Sequence, residues 1–254
     1  MSNFKIIDSI SAGLLQTWRD RRFLAPLTVV PILVMMVTAV LARRVLEIED
    51  MLLAAVIQLP AEFVRAMLMV IYVRFLLLGD APVFKKPNED QERSRQITAG
   101  VVAMTTINFL FMGALQALRY VVDQVEQGSA EQSMAVPYFL LFIGLSGLVI
   151  WAFRYYWLYV PAALGWDIKG FYAQLPGLSS SLKIMLLMMG CFIMGGMAII
   201  ASEFFFSLIT LGVGGEGNLI LDLLRDLVLI TISIWSYALV TAATAAAIQQ
   251  MKGK

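Results

Sequence analysis

The residues of this sequence most able to do chemistry are the ionisable side chains set in apolar runs. In hydrocarbon each costs a few kcal/mol or more unless it is paired or reached by water. Glu62 and Arg65 stand three apart in the apolar stretch 54–79, hence on one helical face. Glu203 follows the apolar run 184–202, and Arg225 and Asp226 open the last one, with Asp222 at its rim. Counted at 1.5 Å per residue from the inner surface, Arg65 is expected about 21 Å up, Glu62 about 26 Å and Glu203 about 30 Å, so the groups form one outer-half polar cluster. Two readings compete. A cavity open to the outside would bind a charged solute or relay protons. An ion-pair knot would have Glu62 neutralised by Arg65 and Arg225 by Asp226 within their own helices. Two arginines facing three acids leave little surplus charge for a solute, which favours the knot.

Other chemistries lack their residues. There is no histidine, and Cys191 is the single cysteine. The commonest acid/base group and transition-metal ligand are therefore missing, and no internal disulfide can form. Gly144, Leu145, Ser146 and Gly147 look like the Gly-x-Ser of intramembrane serine proteases, but such a serine needs a base beside it, and there the base is histidine. These small residues, with Gly190, Gly195 and Gly196, read instead as places where helices approach closely. No acidic cluster with metal-ligand spacing and no glycine-rich phosphate loop occurs, so no catalytic, cofactor or metal site is expected.

The elements that must position these charges are membrane helices. Sixty per cent of the residues are apolar, 15% are charged and the mean hydropathy is +0.80, outside the range of soluble domains. About 20 apolar residues cross a bilayer core about 30 Å thick, and the sequence supplies that length at 23–42, 54–79, 97–118, 134–153, 184–202 and 227–251. No series of short alternating segments suggests a barrel. Lysine and arginine set the orientation, because cytoplasmic loops carry their excess. Lys5, Arg19, Arg21, Arg22, Arg74, Lys85, Lys86, Arg93, Arg95, Arg154, Lys169, Lys183, Lys252 and Lys254 fall on one side. Arg43, Arg44 and Arg119, diluted by Glu47, Glu49, Asp50, Asp123, Glu126 and Glu131, fall on the other. Both termini are expected in the cytoplasm, and a net charge of +1 carries no message about nucleic acid.

Residues 1–22 precede the first apolar run and do not look like a cleaved signal. Phe4, Ile7, Leu14, Leu15 and Trp18 recur at helical spacing beside Lys5, Arg19, Arg21 and Arg22, which predicts an amphipathic helix in the inner headgroup layer. The alternative is an extension of the first span broken near Pro26. The loop 79–96 is polar and solvated. The segment 155–172, with Tyr155, Tyr156, Trp157, Tyr159, Trp166, Phe171 and Tyr172, carries rings of the kind that sit at headgroup level.

The start RDRRFLAPLTVVPIL, the close of the second span as YVRFLLLGDAP, and WAFRYYWLYVPAALGWDIKGFYAQLPGLSSSLKIML together resemble the six-span bacterial proteins of the YciC-like and glycerophosphoryl diester phosphodiesterase membrane-domain group. In that group an Arg-bearing helix runs into a Pro-Ala step and a serine precedes the next span, which corresponds here to Arg154, Pro161, Ala162 and Ser179 to Ser181. Related chains often show Trp-His-Arg where this one has Tyr72, Val73 and Arg74. The catalytic barrel that names part of the group is absent, so phosphodiesterase activity does not carry over. The resemblance implies a compact six-helix inner-membrane domain.

The expectation is an all-α integral membrane protein, with an amphipathic interfacial segment at 1–22 and a six-helix transmembrane domain at 23–254, in the bacterial inner membrane. Its function is expected to be non-enzymatic, scaffolding or accompanying other membrane proteins or lipids. A small transporter or channel using Glu62, Arg65, Glu203, Arg225 and Asp226 is the alternative. The expected partners are the lipid bilayer, another membrane protein or a second copy, and not nucleic acid.

Overall fold

The computed structural model describes residues 4–41, 51–80, 91–128, 132–213 and 218–252. Arg43, Arg44, Glu47, Glu49 and Asp50, Lys85 and Lys86, and Glu131 and Lys254 lie outside them. Among the described residues the chain is helical throughout, with no strand: α1 Ile6–Arg19, α2 Arg21–Val40, α3 Met51–Leu78, α4 Gln91–Gly128, α5 Gln132–Ala152, a 3₁₀ stretch Phe153–Leu158, α6 Tyr159–Leu164, α7 Ile168–Ala173, α8 Gly177–Val213 and α9 Leu219–Lys252.

Among the described residues, five segments are long and apolar enough to cross a membrane: Arg21–Val40, Gln91–Asp123, Phe139–Leu164, Gly177–Gly212 and Leu219–Lys252. The sequence suggests six. The remaining expected span, α3, carries Glu62, Arg65 and Arg74 and is not one of the five. Helices α4, α8 and α9, at 38, 37 and 34 residues, measure about 51–57 Å at 1.5 Å per residue, so their ends reach beyond a 30 Å hydrocarbon core.

The C-terminal half of α9 is the buried axis. Ile234, Ala238, Val240, Ala242, Ala243, Ala247 and Ile248 are almost fully enclosed, and the alanines among them let α1, α2, α3 and α8 come close. One core unites Phe4, Met69, Val73, Met104, Trp157, Leu187 and Ala243; a second joins Leu24, Leu68, Tyr72 and Ile234.

Helix α1 is packed against the bundle. It is amphipathic as its spacing predicts, and Ile7, Leu14, Leu15 and Trp18 are exposed. Yet it runs along α8 and α9 for its whole length. Lys5 N–H donates to Gln250 (2.9 Å), the Gln250 amide donates to Ser9 Oγ (3.2 Å), and Ile10 lies against Gly190. The buried stripe is Ser9, Gly13 and Thr17, spaced by four. The Ser9 and Thr17 hydroxyls donate to the carbonyls of Lys5 and Gly13, so they enter the interface already satisfied. A Cβ on Gly13 would lie 2.6 Å from the Ala243 nitrogen, so only glycine permits this approach. The small-residue rule also holds at Gly195, which faces Ser236, but not at Gly144, Gly147 or Gly196, which face open space. Nor do the rings of segment 155–172 form a surface belt: Trp157, Tyr159, Tyr156 and Phe171 are buried in the core.

Candidate functional site: paired charges in the bundle

The charges singled out in the sequence separate into two pairs. In α3, Arg65 contacts Glu62 directly, and the Asn108 amide of α4 donates to Glu62 Oε2 (3.3 Å). The Arg65 guanidinium also lies 4.2 Å from the centroid of the Tyr237 ring on α9, a geometry in which the ring face attracts the cation. Three helices thus close on one ion pair. Asn108 and Tyr237 were not singled out in the sequence, where an amide in α4 and a tyrosine in α9 look like ordinary span residues.

The second pair crosses between helices. Arg225 of α9 meets Glu203 of α8 at 2.5 Å, where the sequence suggested Asp226 as its neutraliser. Asp226 and Asp222 add to the field at Arg225 from the same helix. The two pairs do not form one cluster. Tyr237, which marks the level of Arg65, is twelve residues from Arg225 along α9, about 18 Å at the helical rise.

A third node was missed as a site. Arg74, nearly buried at the end of α3, donates from Nε to Asp80 (2.9 Å) and from Nη1 to Gln96 of α4 (2.9 Å) and to the carbonyl of Ala163 in α6. Arg93 Nε also donates to Asp80 (2.9 Å). Two glycines make room: Gly79 turns at φ +68°, and Gly165, at φ +66°, passes so close that a Cβ would strike the Gln96 amide. Burial raises the Asp80 pKa, but the hydrogen bonds from Arg93 and Arg74 and their positive charges outweigh it and hold the carboxyl below its usual range. Asp80→Asn is expected to destabilise by about 1.5–3 kcal/mol, the worth of hydrogen bonds to a charged group. Since folded Asp80 binds its proton more weakly than unfolded Asp80, its stabilisation is complete above the usual carboxylate range and fades as pH falls below about 4. Thermal melts of the two proteins from pH 6 to pH 3 check this: the gap between them should narrow only at the acid end, and a constant gap would contradict the assignment.

Among the residues that the resemblance singled out, Ser181 Oγ donates to the Trp151 carbonyl (2.8 Å) and Ser180 Oγ to that of Pro176 (3.1 Å). Arg154 lies over the rings of Trp151 (4.2 Å) and Tyr155 (4.8 Å) and donates to the Tyr155 hydroxyl (2.9 Å). Cys191 is buried, and burial leaves its sulfur with only structural work.

Helices and site together define an all-α, multi-pass membrane protein. No known protein family, curated protein or solved structure matches the chain.

Proposed function

We propose that this chain is a non-enzymatic scaffold or accessory of other membrane proteins or lipids, with six spans in a bacterial inner membrane and both termini in the cytoplasm. The observation that carries the proposal is the pairing of the charges: largely buried Glu62 with Arg65, and the more exposed Glu203 with Arg225. The described grooves between helices are, by contrast, apolar. The sixth span is α3, which packs between α2, α4 and α9 and satisfies its charges inside the bundle. The inner hydrocarbon boundary lies near the α1–α2 junction, where Arg19, Arg21 and Arg22 are exposed and would be costly any deeper. Helix α1, the end of α9 and α6–α7 then lie in the inner headgroup layer. The likeness to the YciC-like group fits the same six-helix reading.

Purification in native lipid, followed by mass spectrometry, tests the role. The expected result is a stoichiometric protein partner or retained lipid, and a stoichiometric polar solute would overturn it. Topology has its own check. Single cysteines at Asn88 and Gln127, introduced with Cys191→Ala, are treated in intact cells with a membrane-impermeant maleimide. Gln127 should react and Asn88 should not; the reverse pattern rejects the orientation. One observation favours the transporter alternative: Arg65 Nε is buried without a hydrogen-bond partner.

A further inference from the structure

We propose that the groove between α4 and α5 holds one acyl chain of an anionic phospholipid, with the lipid phosphate bound by Arg154 at the inner mouth. The groove has a volume of about 480 Å³ and is walled by apolar side chains such as Ile107, Phe111, Leu145 and Leu148, with Tyr155 also in its lining. It runs from Ala103 to Ala114 along α4, eleven residues or about 17 Å. That is close to one leaflet, half of a core about 30 Å thick. Its rim faces lipid: Leu110 is 65% exposed and Leu148 58%. The candidate span Phe139–Leu164, which begins within α5, is also the least covered, with 6% of its apolar window buried against 22–50% for the other four.

Arg154 selects the headgroup. Its guanidinium is held between Trp151 and Tyr155, and Tyr155 itself lines the groove, so charge and acyl slot share a residue. Among the described residues no carboxylate pairs with Arg154, and its buried Nε has no hydrogen-bond partner. A planar cation with donors to spare beside an apolar slot matches a phosphate ester above a fatty chain. Arg65 and Arg74, by comparison, already have acidic partners. The site holds whether or not the chain has a protein partner.

The test is native mass spectrometry of the delipidated full chain in detergent, titrated with dioleoyl phosphatidylglycerol or dioleoyl phosphatidylcholine. Wild type should retain one phosphatidylglycerol about tenfold more tightly than phosphatidylcholine, the difference that one charge-assisted contact supplies. Arg154→Gln should erase the preference by weakening phosphatidylglycerol more than phosphatidylcholine, whose choline already offsets the phosphate charge. Ala114→Trp, which fills the outer end of the groove, should weaken both lipids. A preference that survives Arg154→Gln, or unchanged binding in Ala114→Trp, overturns the proposal. Should Arg154→Gln fail to fold, wild type decides alone, and equal affinity for the two lipids rejects the site.

Discussion

Replacing Glu62 or Arg65 alone with Ala is expected to lower stability by about 3 to 5 kcal/mol, while Glu62→Leu combined with Arg65→Leu recovers most of the loss. Each single change strands a charge in a low-dielectric region; the double change removes both desolvation costs and leaves apolar volume. The partners do not lose equally. Without Arg65, Glu62 keeps only the Asn108 amide; without Glu62, Arg65 keeps the face of Tyr237. Glu62→Ala should be the worse of the two, because a stranded carboxyl can neutralise itself by taking up a proton and a guanidinium cannot. Glu203 and Arg225 should give little rescue, because they pair with each other some distance along α9. Thermal melting in detergent reads the stability, and complementation of a gene deletion reads the role. A scaffold keeps its phenotype in the stable double mutant. A double mutant that is stable yet behaves as the deletion would transfer the proposal to transport.

Gly13→Ala should destabilise by about 3 kcal/mol, the upper end for overpacking, because the added carbon meets backbone that cannot rotate away. The nearest atoms are the nitrogen and Cα of Ala243, at 2.6 and 2.8 Å. Ala243→Gly removes only the side-chain contact, so it should rescue little of the loss. Ala12→Leu, on the exposed side of the same helix, is the control and should change the melting point slightly. Trypsin cleavage after Arg19, Arg21 or Arg22 should quicken in Gly13→Ala as α1 leaves its seat. A melting point and digestion rate equal to wild type would show that α1 is not held by this contact.

These two sites differ in how far the sequence revealed them. The spacing of Glu62 and Arg65 was enough to foresee their pairing, since residues three apart on a helix are neighbours by geometry alone. Spacing also located most of the membrane helices. It could not show that Tyr237 completes the pair or that Arg225 prefers Glu203, because those contacts depend on how α3, α8 and α9 rotate against one another. Depth counted along single chains placed all the charges in one layer; the packing of separate helices moved them apart. In α1 the apolar residues drew attention to the lipid side, while Ser9, Gly13 and Thr17, which carry the packing, look unremarkable in a list of hydrophobicities. The Arg74 node was hidden for another reason: its partners come from α4, α6 and the turn after α3, and no local pattern joins them.

The seating of α1 against α9 also bears on how the protein is made. Gln250 and Ser9, which hydrogen bond to each other, are separated by 241 positions. At a synthesis rate of 5–20 residues per second, roughly 12 to 48 s pass between the emergence of one and the other. Throughout that interval the Ser9–Gly13–Thr17 stripe has no α9 to cover it, and the core around Phe4 and Trp157 cannot close. Assembly of the bundle must therefore finish with its earliest segment docking onto its latest, after the other helices have been inserted. A ribosome stalled before α9 would leave a chain that is threaded through the membrane yet open along one side, and this is the form that membrane quality-control proteases would meet.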